Sequence, residues 1–241
     1  MPPSITGFRA TITVASLVLG PLLMSIGDLF HPAESHDAAA QAAIILEDAT
    51  PWYFAHLFLF VGMLVFVPGL LALPELVAKR NPTAGWICRI LVIMGAAGFA
   101  GVFVGEMLLG RYVIDGADQA AETALISTVE TTLLSGPAIL AAVTFVGGVG
   151  LAAAILARAG GVQRWAGLAL ALGLLLILVE IASANVFFSK AGNIVILAAC
   201  VAFAWDIRRG NSTAGGRTGD PPLRLERNAR CCTFTLDRSL I

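Results

Sequence analysis

An all-α, polytopic membrane bundle with six transmembrane helices and both termini cytoplasmic is the fold class that three features of this sequence predict. Of 241 residues, 58% are apolar and 13% charged, with a mean hydropathy of +0.86, whereas a soluble domain carries about a quarter charged residues. Apolar runs recur from Ile12 to Trp205, each close to the roughly 20 residues that a helix needs to cross the hydrocarbon core. Lys and Arg are also distributed unevenly between the loops. Arg9, Lys79, Arg80, Arg89, Arg158, Arg164, Arg208, Arg209, Arg217, Arg224, Arg227, Arg230 and Arg238 fall on one side, and Arg111 and Lys190 on the other. Basic loops stay in the cytoplasm, so the chain enters and leaves on that side and six crossings satisfy the parity.

The spans are read at about 12–30, 52–77, 86–109, 133–157, 165–184 and 186–205. The first is a retained helix and not a signal peptide, because its apolar stretch exceeds a signal h-region even though Ala33-Glu34-Ser35 has small residues at cleavage spacing. Pro68 and Pro74 predict a kink or an early exit in the second span. Lys190, Gly192 and Asn193 predict a short hairpin after Ala184, with Lys190 reaching back to the headgroups. Trp52, Trp86, Trp165 and Trp205 fall at span ends, as interfacial anchors do. Residues 1–209 therefore form a six-span bundle, and the polar 210–241 segment a disordered cytoplasmic tail.

Between spans one and two, Ser35 is placed as the N-cap of a short outer helix through Ile44, Ile45 and Leu46, either a connector or a lid over an outward-facing pocket. The acidic 115–132 segment reads as a solvated face. None of Cys88, Cys200, Cys231 and Cys232 lies on the outer side, so no structural disulfide is expected. The net charge of −1 gives no basis for binding nucleic acid. The sequence has no GxxxxGK[ST], HExxH or GxSxG motif, which leaves nucleotide hydrolysis, zincin proteolysis and hydrolase-fold catalysis without support.

The candidate site is a matter of depth. Asp28 and His31 close the first span, His56 opens the second, and Glu106 and Glu180 lie about one turn before spans three and five exit on the same side. Ionisable groups are expensive in hydrocarbon and need a partner or water. Two imidazoles with carboxylates suit zinc or iron, so Asp28, His31, His56 and Glu106 are the candidate metal ligands, with His36 and Asp37 just above. Such a site could activate water for catalysis, although the sequence does not decide whether the protein is an enzyme. Glu180, set among apolar neighbours, is a candidate polar relay that would bond Ser183, Asn185 or another helix. The alternatives are a proton-coupled small-molecule carrier and a non-catalytic interaction module. In span three, Gly95, Gly98, Gly101 and Gly105 form a small-residue stripe, for packing within the bundle or for a homo-oligomer.

The segments Leu29-Phe30-His31-Pro32, Pro51-Trp52-Tyr53-Phe54-Ala55-His56 and Pro68-Gly69-Leu70-Leu71-Ala72-Leu73 carry a family likeness. Over about residues 20–110 the chain resembles uncharacterised multi-pass membrane proteins common in actinobacteria. The resemblance implies a compact helical bundle in the plasma membrane, with no activity assigned.

Overall fold

The structure, a computed structural model, describes residues 5–35, 37–116, 119–128, 135–158 and 162–215. Among them the regular elements are all helices: α1 (Ile5–Phe30), α2 (Ala38–Glu47), α3 (Ala49–Leu70), α4 (Ala72–Ala78), α5 (Pro82–Ile114), α6 (Gln119–Thr128), α7 (Ser135–Ala157), α8 (Val162–Ser183) and α9 (Val186–Gly215). Six stretches are long and apolar enough to span a membrane: Gly7–Phe30, Ala49–Ala78, Pro82–Ile114, Ile139–Ala157, Gln163–Ser183 and Val186–Arg209. Each helix turns large apolar side chains outward, such as Leu22, Leu64, Ile93, Val143, Leu172 and Ile194, the surface that a lipid-facing bundle requires.

Local chemistry sets the boundaries. Pro68 has no N–H to give, and three residues later the second span breaks at Leu71 between α3 and α4. α5 opens with Asn81 as N-cap, its Oδ1 accepting from Ala84 N at 3.0 Å, and Pro82 in the first turn. The hairpin after α8 turns at Ala184, whose φ is +51°, and Asn185 Oδ1 accepts from Phe187 N at 3.1 Å to start α9. Lys190, Gly192 and Asn193 do not interrupt α9, which is continuous from Val186. It runs on through 210–215, where a tail was expected, and the rest of that tail lies outside the described residues.

The spanning helices close into a ring. Each packs on its neighbour in the order α1, α3, α5, α7, α8, α9, and α9 returns to α1. Close approach of α1 and α3 depends on small residues. A Cβ on Gly27 would lie 2.7 Å from the carbonyl oxygen of Ala55, which leaves room for nothing but hydrogen. The interior is apolar and built around Leu17, Met63, Phe66, Leu170 and Phe203.

Part of the span-three stripe is used inside the bundle. A Cβ on Gly95 would strike the backbone of Phe145, and one on Gly98 would lie 2.5 Å from Ala141 Cβ, both on α7; Gly101 faces open space. The tryptophans divide similarly. Trp86, Trp165 and Trp205 are exposed at the basic end, where Arg89, Arg164 and Arg209 lie 5.2, 5.9 and 4.8 Å from the respective rings. Trp52 differs from the interfacial anchor expected of it, being only 2% exposed.

Candidate functional site: a polar cluster at the histidine end

The end of the bundle opposite those three tryptophans holds buried polar groups from four sequence-distant segments. α1 ends because Pro32 disfavours helical backbone at His31, whose amide makes only a long 3.3 Å bond to Asp28 O. The chain then leaves regular structure over 31–35, and His31 is buried there, 7% exposed. His56 sits two turns into α3 and is equally buried. Their Nε2 atoms are 3.3 Å apart, with ring centroids at 4.8 Å and planes at 67°.

The remaining ring nitrogens are fixed by carbonyls. His31 Nδ1 lies 2.8 Å from Pro32 O, and His56 Nδ1 lies 2.9 Å from Trp52 O. A carbonyl can only accept, so both Nδ1 atoms carry hydrogen. In two neutral rings the facing Nε2 atoms would then both be acceptors. The 3.3 Å contact becomes a hydrogen bond only with a proton between them.

Trp52 encloses this pair. Its ring lies 4.9 Å from that of His31 and 4.7 Å from that of His56, and its Nε1–H donates to Glu106 O at 3.2 Å. Above Trp52 a small second core of Ala42, Ile45, Leu109 and Ile126 packs α2 and α6 over the ends of α3 and α5. The cap of α2 is Asp37 and not Ser35: Asp37 Oδ1 accepts from Ala40 N at 2.8 Å, while Ser35 Oγ accepts from Asp37 N at 3.2 Å. Buried Gln41 ties the loop down, its Oε1 accepting from Ser35 N at 2.7 Å.

The carboxyl groups lie on the other flank of His31. Asp28 accepts from Ser189 Oγ at 3.1 Å, with Asn193, also on α9, beside it and His31 and Lys190 in electrostatic reach. Glu34 Oε1 is 3.5 Å from His31 Nε2. Glu180 has Glu34 and Asp28 as its acidic neighbours. The partners expected for Glu180 are engaged elsewhere, since Ser183 Oγ donates to Val179 O and Asn185 caps α9.

Comparison with protein-family models, with curated proteins and with solved structures finds no match for this chain. The chemistry of the cluster therefore has to follow from its own geometry.

That geometry brings together Asp28, His31, His56 and Glu180, but not as the expected metal centre. Among the described residues no group of three or more His, Cys, Asp and Glu side chains is arranged to hold a metal ion. Asp28 is turned toward α9, and Glu106 meets the cluster through its backbone carbonyl. Nothing here supports zinc or iron. His36 lies outside the described residues, and Asp37 is a helix cap. The sequence reading missed Glu34, Ser189, Asn193 and the inward face of Trp52. For Glu34 a signal existed: it stands three residues after His31 across a proline. Ser189 and Asn193 share one face of α9 at i,i+4 spacing, which becomes informative only once α9 is known to pack on α1.

Proposed function

We propose that the chain is a proton-linked carrier in the plasma membrane, with the histidine end outward and the His31–His56 pair as its proton-binding station. The observation that carries this reading is the facing of two Nε2 atoms whose rings already have their Nδ1–H groups on carbonyls. In such a bond His31 is placed as the donor, because Glu34 Oε1 stands 3.5 Å from its Nε2. His56, enclosed by Trp52 and Phe103, is the neutral acceptor.

A carrier also needs a way into the bundle. An apolar cavity of ≈ 30 Å³ lies at the centre of the ring, bordered by Met24, Phe66, Phe145, Leu174 and Asn193. It has room for about one water molecule, so a solute enters only when helices part. Asn193 borders this cavity and lies beside Asp28, between the polar cluster and the bundle centre.

The test has two arms. In ¹⁵N-resolved NMR of the purified protein, the His31 and His56 signals should shift together as one proton leaves the pair, and His56→Asn should leave His31 titrating alone. Independent titration in the wild type would overturn the station. In proteoliposomes, a panel of amino acids, sugars and organic acids should include at least one solute that alkalinises the exterior, with the response lost in His56→Asn. A panel without any response would overturn the carrier.

A further inference from the structure

We propose that the seam between α8 and α9 at the basic end binds the phosphate of an anionic phospholipid, with Arg164 and Arg209 as its ligands. The site lies at the end of the bundle opposite the histidine pair, so it stands or falls separately from the carrier reading. Two guanidinium groups rest there on exposed tryptophans. Arg164 lies 5.9 Å from the ring of Trp165 at the start of α8, and Arg209 lies 4.8 Å from the ring of Trp205 in the second half of α9. Trp165 is 70% exposed and Trp205 55%.

A polar bond holds these two pairs at one level. Gln163 Nε2 donates to Asp206 Oδ2 at 3.1 Å, which ties the residue before Arg164 to the residue after Trp205. An aromatic ring covers the face of a guanidinium and leaves its in-plane N–H groups to point at phosphate oxygens. Arg164 makes no ion pair among the described residues, whereas Arg89, which stands on Trp86 in the same manner, has its Nη2 3.7 Å from Glu75 Oε1. The α8–α9 seam is therefore the better anion site of the two. Exposed Arg158, at the end of α7, and Arg208 add positive charge around it, against Asp206 as the acid of the seam.

The surface below the arginines selects the source of the phosphate. Leu168 and Leu172 follow Trp165 at i+3 and i+7, and Val201 precedes Trp205 by four residues, so each exposed ring heads an apolar lane along its helix. All three side chains are exposed. Leu172 stands about 10 Å deeper than Trp165, at 1.5 Å of rise per residue. A free phosphate has no use for such lanes, but a phospholipid lays its acyl chains along them while its headgroup meets the guanidiniums. An anionic headgroup does so without bringing an ammonium or choline group up to the arginines.

Tryptophan fluorescence tests the site in the full chain carrying Trp86→Phe, reconstituted in phosphatidylcholine bilayers with brominated phosphatidylglycerol or brominated phosphatidylcholine at equal mole fraction. Quenching then reports on Trp165 and Trp205, because Trp52 is enclosed at the other end. The brominated anionic lipid should quench with an apparent affinity on the order of tenfold higher. Equal quenching by the two lipids overturns the site. The preference should collapse when Arg164→Gln and Arg209→Gln are combined, with circular dichroism confirming the fold, and should remain in Arg89→Gln. A preference that survives the double substitution, or that Arg89→Gln removes as fully, overturns the assignment to this seam. Inorganic phosphate added at constant ionic strength should leave the preference in place; its loss would assign the arginines to a free anion and overturn the lipid.

Discussion

Trp52 and Glu106 are joined by a 3.2 Å bond from the indole Nε1–H to the Glu106 carbonyl, which ties α3 to α5 directly behind the imidazole pair. The same Trp52 accepts from His56 through its own carbonyl. One residue therefore fixes both the tautomer of a histidine and the wall against which it rests.

Trp52→Phe keeps a ring but removes the Nε1–H and part of the buried volume. A destabilisation of about 2–4 kcal/mol is expected from the lost hydrogen bond and the cavity. Trp86→Phe, at a 64% exposed position, should change stability by less than about 0.5 kcal/mol. Denaturant unfolding in detergent micelles compares the two, and equal effects would contradict the buried placement of Trp52.

Asp28 depends on a donor from α9, the Ser189 hydroxyl. Ser189→Ala leaves a buried acidic side chain without its hydroxyl donor and should cost about 1–3 kcal/mol. Adding Asp28→Asn to Ser189→Ala should recover part of that cost, because a neutral amide is easier to leave unpaired. The measurement is a double-mutant cycle, and strict additivity would mean that the two side chains do not interact.

Gly27→Leu acts on the site from a distance. Its side chain would meet Ala55 O, the Cβ of Phe58 and the amide of Leu59, pushing α1 away from α3 one helical turn from the histidines. The coupled imidazole signals should separate into two independent titrations while helix content stays near the wild type. Coupled signals in this variant would show that the pair does not depend on the packing of α1 on α3.

The stripe on α5 separates by partner. Gly95→Ala should destabilise the bundle, because the added methyl strikes the Phe145 backbone, whereas Gly101→Ala meets nothing within 4 Å and should be neutral to about 0.5 kcal/mol. Thermal unfolding distinguishes them. Equal losses would imply that α5 and α7 pack elsewhere.

Spans and their order were legible because lipid imposes a one-dimensional rule: about 20 apolar residues bounded by charge or proline. The depth of Asp28, His31, His56 and Glu180 could be counted along the helices for the same reason. What each side chain touches could not, because this depends on which helices are neighbours around the ring. The contact of α9 with α1 gives Asp28 its bond from the Ser189 hydroxyl. Glu34 was read as part of a cleavage-like tripeptide in a loop, and its 3.5 Å approach to His31 Nε2 depends on how the chain turns after Pro32. Trp52 resembles an interfacial anchor in sequence, and only the cap formed by α2 and α6 explains why it is enclosed.

Closure of the ring by α9 against α1 also bears on biogenesis. Asp28 emerges from the ribosome early and Asn193 more than 160 residues later, so the acidic half of the cluster cannot assemble until the sixth span has been inserted. Partly made chains in the translocon thus carry a buried-to-be acidic side chain whose α9 donor has not yet been synthesised.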